Sequence, residues 1–126
     1  MPSDAEWSEL EDYVSSQDTF LCNNNSTYIA KALAATTGWT SYSSTCAVGY
    51  NQSSNDATGF GALPVGFYGM YINNGYHNSG SSACFWSATE NSSFAAWYRS
   101  LDYDDANLNR SSYNISIEYS VRCLRD

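Results

Sequence analysis

Ala96-Trp97-Tyr98-Arg99-Ser100-Leu101-Asp102-Tyr103 is the stretch on which the reading of this chain turns. In an extended strand, side chains alternate between two faces. Trp97, Arg99 and Leu101 therefore fall together on one side, and Tyr98, Ser100 and Asp102 on the other. The first face is apolar or carries a long side chain; the second is short, polar or phenolic. The pattern returns in residues 106–111, where Ala106, Leu108 and Arg110 share one side and Asn107, Asn109 and Ser111 the opposite one. Residues 84–89, with Phe85-Trp86, and residues 119–125, with Val121 and Cys123 on one face, read as two further strands. The last third is expected to form an antiparallel sheet with one face packed and the other solvated.

Upstream of that sheet the period changes from two to that of a helix. Ser3-Asp4-Ala5-Glu6 has the form of a capping box, in which the Ser3 hydroxyl accepts from the Glu6 amide and the Glu6 side chain reaches back. Trp7, Leu10 and Val14 follow at helical spacing, which gives a helix over residues 4–15. A second helix is expected over residues 26–36. Ile29 and Leu33 mark its buried side, four alanines between 30 and 35 favour it, and Gly38 stands at the cap position. Trp39 then anchors the chain to the core. Residues 40–58 carry no period and read as a long loop. Gly59-Phe60-Gly61-Ala62-Leu63-Pro64 reads as a short strand stopped by its proline, and residues 71–82 as another irregular polar stretch. A length of 126 suits one domain, with a helical scaffold and loop in residues 1–58 and a strand-rich part in 59–126.

Composition narrows the function. Only 14% of the chain is charged while 43% is apolar, so the polar surface must come from Asn, Ser, Thr and Tyr. Between Tyr71 and Ser120 there is no Lys and no Gln, and the only Glu residues are Glu90 and Glu118. A solvated sheet face explains the alternation but not this avoidance of the usual solubilising residues. A Tyr-rich β-surface accounts for part of it. Short hydrogen-bonding and phenolic groups also lose little entropy when immobilised, which suits a surface buried against a partner. The net charge is −8, and Lys31, Arg99, Arg110, Arg122 and Arg125 form no cluster. A nucleic-acid partner is thereby disfavoured, and a neutral or basic partner patch favoured. No apolar run approaches a membrane span, so direct membrane insertion is not expected. Met1-Pro2-Ser3-Asp4 has neither the basic region nor the apolar core of a secretion signal.

Candidate chemistry is sparse. None of the four cysteines forms a C-x-x-C pair, which disfavours zinc. Cys22 and Cys46 flank the second expected helix in polar loops, and a bridge between them would suit an oxidising compartment. All three pairings, and four free thiols, stay open at this stage. His77 is the only histidine, and no Ser or Cys nucleophile has a recognisable base partner. Asp102, Asp104 and Asp105 could offer oxygen ligands to Ca²⁺, but their spacing is not that of an EF-hand, and a solvated acidic turn fits better. Glu90 reads as a hydrogen-bonding scaffold group. No cofactor and no enzymatic activity are expected.

Five segments carry a family resemblance: Pro2-Ser3-Asp4-Ala5-Glu6-Trp7, Gly59-Phe60-Gly61-Ala62-Leu63-Pro64, Phe85-Trp86-Ser87-Ala88-Thr89-Glu90, Ala96-Trp97-Tyr98-Arg99 and Ser120-Val121-Arg122-Cys123-Leu124-Arg125-Asp126. In this order, over nearly the whole chain, they resemble the Fibrobacter succinogenes major paralogous (FISUMP) domain. The resemblance implies an α+β, C-type-lectin-like fold of the formylglycine-generating-enzyme branch, with two helices packed on a small twisted antiparallel sheet and long irregular loops. The family's first strand, before Pro2, is missing here, which implies a final strand without its usual neighbour. Ile115 and Glu118 stand where the family often shows Lys and Gly, so the last hairpin is expected to be reshaped. The oxidising cysteine pair of the formylglycine-generating enzymes finds no matching motif around Cys84 and Cys123. Sugar-binding Glu-Pro-Asn and Trp-Asn-Asp signatures are also absent.

Many members of this family look like targets of diversity-generating retroelements, in which adenines of the gene are randomised. Asn codons then become Tyr, Ser, Asp, His, Ile, Phe or Cys, but not Lys, Glu, Gln, Met or Trp. Residues 68–119 fit such a variable region, with Trp86, Trp97, Arg99, Leu101, Leu108, Arg110 and Val121 as scaffold. Cys84 and Phe94, odd for a solvated face, are both reachable. The expected loop contacts are Tyr71, Asn73, Asn74, Tyr76, His77, Asn78, Ser82, Cys84, Asn91, Ser92, Ser93 and Phe94. The expected strand-face contacts are Ser100, Asp102, Tyr103, Asp104, Asp105, Asn107, Asn109, Ser111 and Tyr113. The function expected is a ligand-binding display domain for a protein or surface-glycan ligand, outside the cell, on its surface or on a phage particle. The alternative is a structural or adhesin module of a bacterial cell envelope.

Overall fold

The computed structural model describes residues 1–125; Asp126, which closes the last of the five segments, lies outside the described residues. The chain forms a small α+β fold. Helix α1 (Asp4–Ser15) opens it, and a single helical turn, α2 (Ala30–Leu33), follows. A long irregular stretch leads to β1 (Phe67–Gly69) and β2 (Gly75–His77). Then come β3 (Ser82–Ser92), β4 (Ala95–Asp102), β5 (Asn109–Asn114) and β6 (Ile117–Glu118). The strands make two antiparallel three-stranded sheets, ordered β3-β4-β5 and β2-β1-β6. Parallel bridges Gly66–Ala83 and Phe85–Ser120 attach the small sheet to the free edge of β3.

Helix α1 starts where the capping box places it. The Ser3 hydroxyl accepts from the Glu6 amide, and the Glu6 carboxylate accepts from the Ser3 amide at 2.7 Å. Trp7 and Val14 on its inner side are buried. They join Ile29, Leu33, Trp39, Val48, Ala83, Phe85 and Leu101 in one core between α1, the loops and the large sheet. The rings of Trp7, Phe60 and Phe85 meet pairwise at 5.7–6.0 Å. Register puts Phe85, Arg99 and Arg110 on the helix-facing side of the large sheet. Arg99 is wholly buried there. Its guanidinium donates to the carboxylates of Asp4 (2.7 Å) and Glu11 and to the Ser8 hydroxyl (3.2 Å). Burying a charge is tolerable only with such complete pairing. Arg110 shares Asp4 at 2.8 Å and stacks its guanidinium 3.6 Å above the Trp97 ring.

Several expectations need correction. The helix expected over 26–36 shrinks to Ala30–Leu33. Its front is taken by a turn, in which the Asn25 side chain accepts from the amide and hydroxyl of Thr27. Its rear is pulled straight, because Ala34 bridges Ala62 and the Ala35 amide donates to the Ala62 carbonyl. Gly38, at φ +92, therefore caps no helix. The strand expected at 59–64 is reduced to that one bridge. The strand expected at 106–111 begins three residues later, at Asn109, because Asp105 gathers Asn107 and Asn109 into a turn. The strand expected at 119–125 is likewise absent, apart from the Ser120 bridge; β6 lies just before it, and Val121 and Cys123 are exposed. Conversely, β2 forms within residues 71–82, which had shown no period. The expected single sheet is in fact two.

Residues 40–58 form the expected loop, built around one 3₁₀ turn, Gln52–Ser54. Lys31 binds it from below, donating to the carbonyl of Tyr50 and to the Asn55 side chain at 2.7 Å. Gln52 clamps both backbone polar groups of Trp39. Cys22 and Cys46 are joined in a disulfide, with Cα atoms 5.6 Å apart. Gly66, at φ +70, lets the chain enter the small sheet: a Cβ there would lie 1.9 Å from the His77 carbonyl oxygen. Among the described residues no helix is long and apolar enough to cross a membrane.

Candidate functional site

The face of the large sheet turned away from α1 carries Ser82, Cys84, Trp86, Tyr98, Ser100, Asp102, Asn109, Ser111 and Tyr113, as the cross-strand pairs require. The expected solvated face is thus real as a register, but it is not uniformly solvated. Tyr119, the residue that follows β6, lies across it, 4.5 Å from Trp86 and 4.7 Å from Tyr98 between ring centroids. Phe67 meets Tyr119 edge-on at 5.7 Å and His77 at 5.3 Å. This aromatic layer covers the middle of the sheet and leaves its margins open.

Three expected contact residues lie inside. Ser82, Cys84 and Ser100 are 5%, 6% and 8% exposed, and their side chains do not form part of an outer surface. Asp102 beside them is half-buried and accepts from the hydroxyls of Ser82 (2.5 Å) and Ser100 (3.3 Å). Burial, with the neighbouring Asp102 charge, pushes the Cys84 thiol up to about 12, so it stays protonated at neutral pH. Burial also raises the Tyr119 phenol well above its ordinary value, with Tyr98 adding to the effect. Cys84 and Cys123 are both free, the second exposed. Trp86, expected as scaffold on the packed side, shares the face of Cys84 and Ser100.

A second group is committed to a turn. The Asp105 carboxylate accepts from Asn107 at 2.8 Å and from Asn109 at 3.0 Å. Burial alone would raise this carboxyl; those hydrogen bonds outweigh it and hold it below its usual range. Tyr103 is half-buried against the core and meets Tyr42 edge-on at 5.6 Å. Asp104 alone of the three acids is exposed. Among the described residues no three His, Cys, Asp or Glu side chains converge as metal ligands would.

The remaining candidates form an exposed rim. Tyr71 and Tyr76 are 80% and 81% exposed, and Phe94 is 72% exposed. Asn73, Asn74, Asn78, Asn91, Ser92, Ser93, Ser111 and Tyr113 are exposed as well. Asn73, Asn74 and Asn78 have φ of 55, 44 and 58, the left-handed region that Asn tolerates better than most residues. These three shape the turns on either side of β2, the strand that carries Tyr76, with Tyr71 just ahead of it. His77 is half-buried, its Nε2 paired with the Ile72 carbonyl. Asn91 donates to the Ser112 hydroxyl at 3.1 Å, tying the β3–β4 turn to β5.

Tyr71 and Tyr113, far apart in sequence, line one open groove of ≈ 370 Å³ with Ile72, Asn114, Ser116 and Ile117. Those last four lie within the expected variable region 68–119 but were not among the expected contacts. Nor were Tyr68 and Glu118, which share the outer face of the small sheet with Tyr76. No period marks a strand as short as Gly75–His77, so this surface had little signal in the sequence.

A small disulfide-bonded α+β frame with an exposed Tyr/Asn/Ser rim is the class of protein these features define. The model of the Fibrobacter succinogenes major domain matches residues 1–125, and the chain belongs to that family. No curated protein and no solved structure matches it.

Proposed function

We propose that this chain is a ligand-binding display domain. On this reading the frame is C-type-lectin-like, and the rim is a hypervariable surface of the kind that diversity-generating retroelements produce, presented to a protein or surface-glycan ligand. The observation that carries the proposal is the exposure of Tyr71 and Tyr76, at 80% and 81%, beside the Tyr71–Tyr113 groove. Large aromatic side chains held out in water on a framed surface are the usual anchors of recognition. The short polar side chains around them can adjust hydrogen bonding at small entropic cost. The protonated, buried Cys84 and the carbonyl-bound His77 support binding rather than catalysis. The Cys22–Cys46 disulfide supports an extracellular, cell-surface or virion location.

The gene neighbourhood tests this proposal. A near-identical template repeat beside a reverse transcriptase gene is expected, with mismatches confined to template adenines and falling on codons for the rim. Mismatches spread over all four bases would defeat it. The structure adds a finer expectation: adenine-linked differences should crowd at Tyr71, Tyr76, Asn91, Ser111 and Tyr113 and thin out at the buried Ser82 and Ser100.

A further inference from the structure

The outer face of the small sheet carries a row of three side chains. Tyr68 pairs with Tyr76 on one side and with Glu118 on the other, so the three stand on adjacent strands and point the same way. Side chains so paired approach within contact distance. The Tyr68 and Tyr76 rings meet edge to face at 5.2 Å, and the Tyr68 hydroxyl is fixed by donating to Asn74 at 2.7 Å. The Glu118 side chain is exposed and makes neither a hydrogen bond nor an ion pair among the described residues.

The rest of the molecule shows what such a pairing of ring and oxygen does. Arg110 lies 3.6 Å above Trp97 while Asp4 accepts its N–H groups. Arg122 lies 4.5 Å above Phe60 and donates to the Phe60 carbonyl at 2.8 Å. In both places an aromatic face and an oxygen together hold a guanidinium, as ring quadrupole and charge-assisted hydrogen bonding favour. The Tyr68/Tyr76/Glu118 row offers the same two elements, and among the described residues no cation of the chain is paired with it. Lys31 is spent on the loop, Arg99 on Asp4 and Glu11, Arg110 and Arg122 on the pairs just named, and Arg125 is exposed near the C-terminus with no ion pair to Glu118. At a net charge of −8, a partner brings complementarity by supplying the cation.

We infer that the Tyr68/Tyr76/Glu118 row receives an arginine side chain presented by a protein ligand. The inference rests on the reading of this surface as a ligand-binding one and names the chemistry of its partner. The guanidinium lies over the tyrosine rings and donates to the Glu118 carboxylate.

The probe is N-acetyl-arginine amide, titrated into the ¹⁵N-labelled chain and followed by amide shifts. N-acetyl-citrulline amide, of the same shape without the charge, is the comparison. Saturable shifts are expected at Tyr68, Tyr76 and Glu118 with the arginine compound only. Glu118→Gln and Tyr76→Ala, both at exposed positions, should each weaken binding by about threefold or more. Glu9→Gln, an equal charge change on α1, should stay below about threefold. Equal shifts with citrulline, shifts centred elsewhere, or a loss below about threefold for Glu118→Gln would overturn the inference. Failure here together with adenine-confined mismatches in the gene would leave the display function standing and remove only its arginine partner.

Discussion

Arg99 carries a full charge into the interior, and Asp4 makes that possible. The Asp4 carboxylate accepts from Arg110 and Arg99 together, and Arg110, then Arg99, hold its pKa at about 2 against an ordinary 3.8. In the window from about 2 to 4 the folded chain therefore binds fewer protons at Asp4 than the unfolded chain does. This part of the stability is present above pH 4 and is lost as pH falls through the window, by about 1–2 kcal/mol once partial solvent contact is allowed for. Urea denaturation between pH 5 and pH 2 should show it. Asp4→Asn should be weaker at pH 5 and should lose less over the same interval. An unchanged acid slope in that variant would contradict the assignment.

Among the elements, α1 supports everything the sheet displays. Its first turn holds Arg99 and Arg110, its inner side supplies Trp7 and Val14, and the Ala88 amide donates to the Pro2 carbonyl just ahead of it. The capping box keeps that first turn wound. Ser3→Ala removes the acceptor for the Glu6 amide and should cost about 1 kcal/mol, read as a lower urea midpoint with unchanged slope. Strand β4 shows how far an element can be read from its own residues. Trp97, Arg99 and Leu101 do share the side facing α1, and Tyr98, Ser100 and Asp102 the other. The alternation could not say that Tyr119 would cover Tyr98, because Tyr119 comes from beyond β6, outside this sheet. Ser82, Cys84 and Ser100 likewise share the polar register and yet are buried.

For the whole molecule, the disulfide and Lys31 tie the irregular half to the core, and the rim depends on the frame behind it. Cys22 and Cys46 lie 24 residues apart, so reduction frees a loop of that size and should cost about 3 kcal/mol. Thermal unfolding with and without reductant measures this, and Cys22→Ser/Cys46→Ser should reproduce the reduced value. A reduced chain equally stable would show that the loop is held by Lys31, Asn55 and Gln52 alone. The rim should loosen with the frame, so under the proposed display function binding by Tyr71 and Tyr113 should weaken on reduction even though neither touches the bridge.

Helix α1, the alternation of β4, the polar loop of 40–58 and the family were determined by the sequence alone. Each rests on a local period, a cap or an ordered set of segments, and those depend on neighbours in the chain. Tertiary structure alone decided that 26–36 yields only one helical turn, that the strands divide into two sheets, and which polar residues reach water. An Ala-rich segment gives up its helix when Ala62 offers a bridge to Ala34, and a tyrosine on the polar face of β4 is covered when Tyr119, just beyond β6, lies over it. Long-range contacts of this kind outweigh the small differences in local propensity, and they leave no periodic trace in the residues they bury.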